Sequence, residues 1–324
     1  MKRISDLKIV AVGGGTGLST MLRGIKLYTQ NIDVIVTVAD DGGGSGMIRE
    51  DLHILPPGDI RNCLTALAEA EPMMKKLFRY RFKGGRLTGQ SFGNLFLAAM
   101  CDITGDFETA IEQMSSVLAV TGNVLPVTKD DVNLVATLKN GTMVKGESSI
   151  PKISVLEESP IDTIELEPKD VCAFDKCIKA INEADIIILG PGSLYTSIIP
   201  NLLVEGITFA ISASKAKKVY VCNVMTQPGE TTGHTAFDHI DAICRHMGCN
   251  CVDYCIVNTG EVPEFFEEKY KAENAEKVIV DREKFENSPT KLIEKDLLYV
   301  DKENMKLRHD YIKLAQTILQ LAGD

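Results

Sequence analysis

The sequence of 324 residues lacks any hydrophobic run long enough to cross a membrane. Its first residues lead directly into an apolar strand, without the apolar core and small-residue cleavage site of a secretory signal peptide. We therefore expect a cytoplasmic protein that does not insert into membranes. In the cytoplasm its nine cysteines are expected to be reduced thiols, most of them small buried side chains.

The sequence also lacks an excess of positive charge, because its formal net charge is -10 at pH 7. Neutralising a nucleic-acid backbone needs clustered lysines and arginines, so this balance argues against a nucleic-acid partner. Zinc patterns are missing as well. Neighbouring cysteines lack the paired Cys-x-x-Cys spacing, and nearby histidines miss the i, i+4 spacing of a helical metal pair. These residues are Cys244, Cys249, Cys251, Cys255, His234, His239 and His246.

No serine-rich or proline-rich linker divides the chain. With 44% hydrophobic and 25% charged residues, the composition is that of an ordinary globular protein. Apolar runs alternate with helical patterns, which predicts one Rossmann-like α/β domain over residues 1–324 with a mainly parallel, doubly wound sheet. We expect a helical insertion at 59–120 and a β-rich insertion at 122–165. We also expect a glycine-rich loop after the second strand and a last helix at 307–321.

A glycine-rich turn near the N-terminus is the most informative pattern that is present. Gly13, Gly14, Gly15, Thr16 and Gly17 join an apolar strand to a helical pattern. Glycines place no Cβ between the backbone amides and an anion, and a helix N-terminus carries partial positive charge. The turn therefore predicts a phosphate cradle. Its spacing differs from the dinucleotide fingerprint, and a tight turn without a ligand is the alternative.

A second turn of the same kind follows the apolar run at 186–189. It contains Gly190, Gly192 and Ser193, and it again leads into a hydroxyl-rich helix start. Ligands of open parallel sheets bind beyond the carboxyl ends of the strands, where the connections diverge. We therefore expect the two turns to flank one crevice and to bind a diphosphate.

Acidic side chains follow the second predicted strand. Asp40 and Asp41 are placed to bind a ribose hydroxyl or to hold Mg²⁺ through oxygen ligands, and the alternative is that they cap turns. Further along, Asp59 is expected to cap a helix whose first turn carries Arg61 and Asn62. Arg61 can then donate two hydrogen bonds to a phosphate.

A third polar group of residues follows the strand predicted at 219–222. Asn223, Thr226, Gln227 and Glu230 offer both donors and acceptors, which suits a base edge or sugar hydroxyls. A solvated loop is the alternative interpretation.

These motifs closely resemble the gluconeogenesis factor (YvcK-like) family, which shares a superfamily with 2-phospho-L-lactate transferase (CofD-like). The resemblance covers the two glycine turns, the acidic loop and the segments 56–62, 91–94, 190–197 and 223–231, and it includes Asn94 and Tyr195. It implies a Rossmann-like cytoplasmic protein that binds a nucleotide sugar such as UDP-N-acetylglucosamine. It also implies a role in cell shape and cell-wall growth on gluconeogenic carbon sources.

Two C-terminal residues complete the site that the resemblance implies. Tyr270 can stack on a uracil ring, and Arg308, expected to open the last helix, can pair with the diphosphate. A solvated surface position is the alternative for each. The sequence leaves open a homo-oligomer and an unidentified protein partner.

Two other activities stay open at this point. The transferase branch of the superfamily moves a phospholactyl group from a nucleotide diphosphate donor and uses a divalent metal, for which Asp40 and Asp41 are the candidate ligands. The sequence of segment 52–61 differs from the pattern expected of the transferases. The gluconeogenesis factors, which form the regulatory branch of the superfamily, therefore fit this sequence better. An NAD-like dinucleotide can also fit such a crevice, although the glycine spacing weakens the case for an oxidoreductase.

Overall fold

Seven parallel strands form the central sheet of the computed structural model, which describes residues 2–323. In spatial order they are β10 (Lys291–Lys295), β9 (Tyr254–Asn258), β8 (Lys217–Val221), β7 (Ile186–Leu189), β1 (Ile9–Gly13), β2 (Ile32–Val36) and β3 (Asn123–Pro126). The central strands β1 and β7 are buried along their whole length, as their uninterrupted apolar sequences predict for a sheet covered on both faces. The predicted Rossmann-like α/β fold is confirmed.

Helices cover both faces of this sheet. They are α1 (Gly15–Ile25), α2 (Gly43–Leu52), α3 (Pro57–Leu67), α4 (Pro72–Arg79), α5 (Phe92–Thr104), α6 (Phe107–Val117), α7 (Ile150–Leu156), α8 (Asp175–Glu183), α9 (Ile199–Leu202), α10 (Ile207–Ala213), α11 (Ala236–Met247), α12 (Glu264–Ala272), α13 (Arg282–Glu286) and α14 (Tyr311–Gly323). A π-helical turn at Leu194–Ile198 precedes α9. Among residues 2–323, no helix combines the length and apolarity needed to cross a bilayer.

The strand order reverses between β1 and β7. From β1 the chain proceeds to β2 and β3 on one side, and it returns through β7 to β8, β9 and β10 on the other side. Val12 of β1 lies opposite Leu189 of β7 in the parallel register. Both strands therefore end at the same edge, at the point where connections diverge and where ligands of such sheets bind.

Two smaller antiparallel sheets lie outside the central one. The first joins β4 (Asn133–Leu138), β5 (Met143–Lys145) and β6 (Ile161–Glu167), and the second joins β11 (Leu298–Asp301) and β12 (Lys306–His309). The segment 122–165 therefore supplies β3 to the central sheet and β4 to β6 to the first small sheet. The segment 59–120 is mainly helical and contains α3 to α6.

Three local predictions were wrong. The glycine-rich loop after β2 folds into α2, whose first residue is Gly43. Asp59 lies within the first turn of α3 rather than at its N-cap, which is Pro56. The last helix begins after β12 because Asp310 accepts hydrogen bonds from the backbone amides of Ile312 and Lys313 at 3.0 and 3.1 Å and thus caps the helix there. Arg308 consequently lies on a strand.

Helix α14 packs closely on α1 across Gly24. A Cβ atom at Gly24 would lie 2.0 Å from the carbonyl oxygen of Tyr311 and 3.0 Å from Cβ of Ala315. Backbone from one helix therefore occupies the space that a side chain would need on the other. The contact fixes the C-terminal helix against the strand-turn-helix unit that carries the first glycine turn.

We expect Gly24→Ala to lower the free energy of unfolding by about 1–3 kcal/mol, because overpacking against backbone outweighs the helix propensity of alanine. Urea denaturation followed by circular dichroism measures this change. Lys271→Ala, at an exposed helical position, is the control and is expected to leave the midpoint nearly unchanged. An unchanged or higher midpoint for Gly24→Ala would contradict the packing described.

Candidate functional site

The two glycine turns lie in contact at the edge where β1 and β7 end. A Cβ atom at Gly13 would lie 3.7 Å from Cα of Gly190. A Cβ atom at Gly17 would lie 2.7 Å from the carbonyl oxygen of Pro191, so that position has no room for a side chain. The sequence predicted that both turns flank one crevice, and the tertiary structure brings them together.

Asp59 occupies the first glycine turn. A Cβ atom at Gly14 would lie 2.4 Å from Asp59 Oδ2. The backbone amide of Gly15 and the side chain of Asn62 act to lower the pKa of this carboxyl, although burial outweighs them. An acidic side chain therefore lies beside the first amides of the turn, and the next helical amides, those of Thr16 and Gly17, are the candidates for a ligand.

The second glycine turn is braced by the loop after β8. Asn223 Nδ2 donates to the carbonyl oxygen of Gly192 at 2.8 Å, and Gln227 Nε2 donates to Ser193 Oγ at 2.7 Å. The buried Glu230 accepts the backbone amide of Tyr195 at 3.3 Å. These side chains, predicted to bind a base or sugar, hold the turn in place, and Gln227 and Glu230 are directed toward it rather than toward open space.

Thr226 and Tyr195 are turned inward as well. Thr226 is buried, and its Oγ1 accepts the backbone amide of Glu276 at 2.9 Å. The side chain of Tyr195 is fully buried, and its hydroxyl lies 3.3 Å from Nε2 of His234. Neither side chain is available to a ligand in this conformation, so their predicted binding roles do not fit the structure.

A small cavity of about 130 Å³ opens beside the two turns. It unites four predicted site residues from separate parts of the chain, namely Gly17, Asn223, Tyr270 and Arg308. The other lining residues are Thr20, Pro191, Val224, Met225, Leu307 and His309. Tyr270 is fixed there because its hydroxyl accepts the backbone amide of Leu307 at 3.2 Å. The cavity therefore combines one helix start, one aromatic ring and one guanidinium.

Cationic side chains lie along this side of the site. Arg308 donates to Thr16 Oγ1 at 3.2 Å, which places its guanidinium at the start of α1. Burial, and then the charges of Arg79 and Arg308, lower the pKa of Arg23. Nε of Arg23 is buried and has no hydrogen-bond partner among the residues that the structure describes. Three guanidinium groups thus repel one another here, and an anion would relieve that repulsion.

His309 contributes a neutral ring to the same cavity. It is buried, and burial lowers its pKa to about 4. Its Nε2 has no hydrogen-bond partner within residues 2–323. A neutral imidazole nitrogen can accept or donate one hydrogen bond, so His309 suits a polar ligand edge. Neither Arg23 nor His309 belongs to a glycine motif, and sequence reasoning missed both as site residues.

Carboxylates gather on the opposite side of the first turn. Burial, followed by the charge of Asp40, raises the pKa of Asp59 to about 6. Burial and the charges of Asp40, Glu230, Asp41 and Asp59 raise the pKa of Glu147 to about 8. Burial also raises the pKa of Asp40. The site is therefore divided into a cationic half and an acidic half, and Glu147 is a member that the sequence did not reveal.

The acidic half is not arranged as a ready metal centre. Asp40 Oδ1 accepts the amide of Gly42 at 2.9 Å, and Asp41 Oδ1 accepts the amide of Ser148 at 2.8 Å. Within the described part of the chain, no group of three or more histidine, cysteine, aspartate or glutamate side chains is positioned to hold a metal ion. Both aspartates cap turns, as the alternative interpretation of the sequence had it, although carboxylate oxygens are donors that suit Mg²⁺.

Arg61 and Asn94 lie behind the acidic half. Arg61 is buried and donates to Ser91 Oγ at 3.0 Å, which links α3 to the start of α5. Asn94 Nδ2 donates to Ser45 Oγ at 3.3 Å, and its buried Oδ1 has no partner within residues 2–323. Arg61 therefore links two helices. Because one end of its guanidinium donates to Ser91, the predicted pair of hydrogen bonds from Arg61 to a phosphate does not fit the observed side-chain orientation.

We expect Glu147→Gln to stabilise the protein at high pH. Folded Glu147 loses its proton near pH 8, whereas glutamate in the unfolded chain ionises near pH 4.3, so its stabilising contribution is lost as the pH rises through about 8. Relative to wild type, the gain in unfolding free energy should be larger at about pH 8.5 than at about pH 5.5 by more than about 1 kcal/mol. Thermal melting at both pH values measures it.

The matched control for this prediction is Glu268→Gln, which neutralises an exposed glutamate. Its effect should be the same at both pH values. An equal gain for Glu147→Gln at high and low pH would show that Glu147 is not held in its protonated form.

Comparisons with known proteins agree with this architecture. Residues 9–298 match the family model described as 2-phospho-L-lactate transferase CofD. The chain is 48% identical over 315 residues to the gluconeogenesis factor of Bacillus subtilis, covering 97% of this chain and 98% of that protein. It is 58% identical over 314 residues to a relative from Thermoanaerobacterium thermosulfurigenes that bears the same name provisionally, covering 97% and 96% of the two chains.

A solved structure is also closely similar. The crystal structure of a UPF0052 family member from Bacillus halodurans superimposes with a TM-score of 0.92 at 47% identity, covering 97% of this chain and all of that one. The resemblance inferred from the motifs is confirmed over nearly the whole chain. The chain therefore belongs to the gluconeogenesis factor (YvcK-like) family, within the superfamily of 2-phospho-L-lactate transferase CofD.

Proposed function

We propose that this protein is a regulatory protein that binds a nucleotide sugar similar to UDP-N-acetylglucosamine. The observation that carries the proposal is the convergence of Gly17, Asn223, Tyr270 and Arg308 on one cavity beside two touching glycine turns. The diphosphate lies against the start of α1 and pairs with Arg308. The sugar extends toward the acidic half of the site, where carboxylates accept hydrogen bonds from hydroxyl groups.

Several contacts are needed to bind such a ligand. One helix terminus stabilises an anion by about 0.3–1 kcal/mol when exposed, whereas micromolar affinity requires about 8 kcal/mol. Arg308 supplies a charge-assisted contact, and the repelling guanidinium groups of Arg23 and Arg79 favour an added anion. The Tyr270 ring supplies a stacking surface, and the free Nε2 of His309 supplies one polar contact to the base.

The proposed cellular role extends the family resemblance. The Bacillus subtilis protein is named gluconeogenesis factor, and we extend to this chain a role in cell shape and cell-wall growth on gluconeogenic carbon sources. In this role the ligand-bound form acts in the cytoplasm through a protein partner, alone or as a homo-oligomer. The chain then reports the level of a nucleotide sugar without consuming it.

A transferase is the second candidate function, and the carboxylates near Asp40 favour it, because burial and like charges raise the pKa values of Asp59 and Glu147 there. Asp40 and Asp41 would be the residues that hold a divalent ion, which would supply positive charge for a nucleotide diphosphate donor. The match to the CofD family model is compatible with this activity. An NAD-like dinucleotide is a further possible occupant of the crevice.

We expect UDP-N-acetylglucosamine to raise the melting temperature without added metal, because a ligand that binds only the folded state adds about 2.7 kcal/mol at a hundredfold excess over its dissociation constant. Arg308→Ala should weaken the binding by about tenfold or more, since it removes a charge-assisted contact. Lys302→Ala, at an exposed position in the adjacent turn, is the control. Melting curves and calorimetric titration measure both effects.

Three outcomes of this experiment discriminate the candidates. A shift that requires a nucleoside diphosphate together with Mg²⁺ would favour the transferase. A shift with NAD alone would favour a dinucleotide ligand. No shift with any of these, or equal affinity of Arg308→Ala and wild type for UDP-N-acetylglucosamine, would contradict the proposed site.

Substitutions at Tyr270 separate stacking from hydrogen bonding. We expect Tyr270→Phe to keep most of the affinity because the ring remains, whereas Tyr270→Ala should lose about tenfold, since stacking of a base on an aromatic ring contributes about 1–3 kcal/mol. Titration of each variant with UDP-N-acetylglucosamine and with a sugar phosphate that lacks the base measures the difference. Equal losses for Phe and Ala would assign Tyr270 only its hydrogen bond to Leu307.

A further inference from the structure

A strongly basic segment interrupts this acidic protein at residues 72–88. It carries six lysines and arginines, and the sequence has no aspartate or glutamate between Glu71 and Asp102. The rest of the chain therefore has a formal charge of -16, because the segment contributes +6 to the total of -10. The basic residues are Lys75, Lys76, Arg79, Arg81, Lys83 and Arg86. Among residues 2–323, none of the six takes part in an ion pair.

The basic segment consists of α4 and a short hairpin-like loop that protrudes from the protein. The loop is closed by backbone hydrogen bonds from Phe82 to Gln90 at 2.9 Å and from Gly89 to Phe82 at 2.8 Å. At its tip, residues 83–88 are exposed, and a Cβ atom at Gly84 or Gly85 would meet no other atom within 4 Å. The tip is thus surrounded by solvent, while its base is fixed to the fold.

Helix α4 is anchored by one side and leaves the other without a partner. Phe78 is buried, and its ring packs edge-on against the ring of Phe96 at 5.0 Å. On the opposite face, Met73, Leu77 and Tyr80 follow one another at helical spacing and are 72%, 39% and 45% exposed. Apolar and basic side chains therefore project together from one convex surface.

We propose that the basic segment, residues 72–88, docks this protein on the surface of an anionic lipid bilayer. Lysine and arginine attract acidic headgroups, and each basic residue near such a surface adds to the binding. Exposed Met73, Leu77 and Leu87 enter the interface between headgroups and acyl chains, as apolar residues of interfacial helices do. The attachment is peripheral, and it is oriented because the acidic remainder of the chain is repelled by the same surface.

Other acidic partners fit these observations less well. A nucleic acid would neutralise the basic side chains but would leave the exposed methionine and leucine side chains in water. An acidic peptide is usually held in a groove, whereas residues 83–89 of this segment are all exposed to solvent. A bilayer surface satisfies both the charges and the apolar side chains, and its shape adapts to a protruding helix and loop.

Cosedimentation of the full chain with lipid vesicles tests the proposal. We expect binding to phosphatidylcholine vesicles that contain phosphatidylglycerol, no binding to pure phosphatidylcholine, and weakening by salt. The variant Lys75→Glu/Lys76→Glu/Lys83→Glu/Arg86→Glu should lose binding by more than about tenfold. The matched control reverses the same amount of charge at the exposed lysines 139, 152, 215 and 271 and should bind as wild type does.

Two further variants keep the result interpretable. Met73→Ser/Leu77→Ser retains every charge and should still lower binding severalfold if the apolar side chains enter the bilayer. Lys83→Glu/Arg86→Glu is confined to the exposed tip and should weaken binding without affecting the fold, which circular dichroism checks for each variant. Absence of vesicle binding, or binding that survives the fourfold reversal at 75–86 or the serine substitutions, would overturn the proposal. Tighter binding to polyglutamate or duplex DNA than to vesicles would overturn it too.

Discussion

The side-by-side packing of β1 and β7 is the constraint on which the candidate site depends. These strands are parallel and end at the same edge, where the chain continues from β1 to one side of the sheet and from β7 to the other, so the turns that follow them meet there. The contact is so close that a Cβ atom at Gly17 would lie 2.7 Å from the carbonyl oxygen of Pro191. Glycine is required there because backbone must pack against backbone, and this approach opens the start of α1 toward the neighbouring cavity.

Around this contact the charges are sorted by sign. The charges of Arg79 and Arg308 act on Arg23, while the charge of Asp40 acts on Asp59 and Glu147. Each half raises the free energy of the ligand-free protein, because like charges lie near one another in a partly desolvated setting. The proposed ligand has a negative diphosphate at one end and hydroxyl groups at the other. It would reduce the repulsion among the guanidinium groups and among the carboxylates. This division of charge supports the proposal of an elongated nucleotide ligand despite the net negative charge of the chain.

Much of the fold could be predicted from the sequence, because the central strands β1 and β7 are uninterrupted apolar runs and helical patterns alternate with the strands. Strand β10, with the sequence Lys-Leu-Ile-Glu-Lys, carries no such run and was not predicted. The errors fell where tertiary contacts decide the local conformation. Residues 307–309 were predicted to start a helix, but they pair with β11, and Asp310 then caps α14. The glycines after β2 read as a loop, but they begin α2.

The sequence by itself determined the two glycine turns, the polar loop after β8 and the family, because these depend on residue types at short spacings. Only the tertiary structure decided which of those polar side chains face the cavity. Glu230 and Thr226 turned inward because buried backbone amides required acceptors, whereas Arg308 reached the start of α1 through the pairing of β11 and β12. The direction of a side chain depends on contacts between residues that are far apart in the chain, such as Thr16 and Arg308. The order of residue types in a short segment does not reveal such contacts.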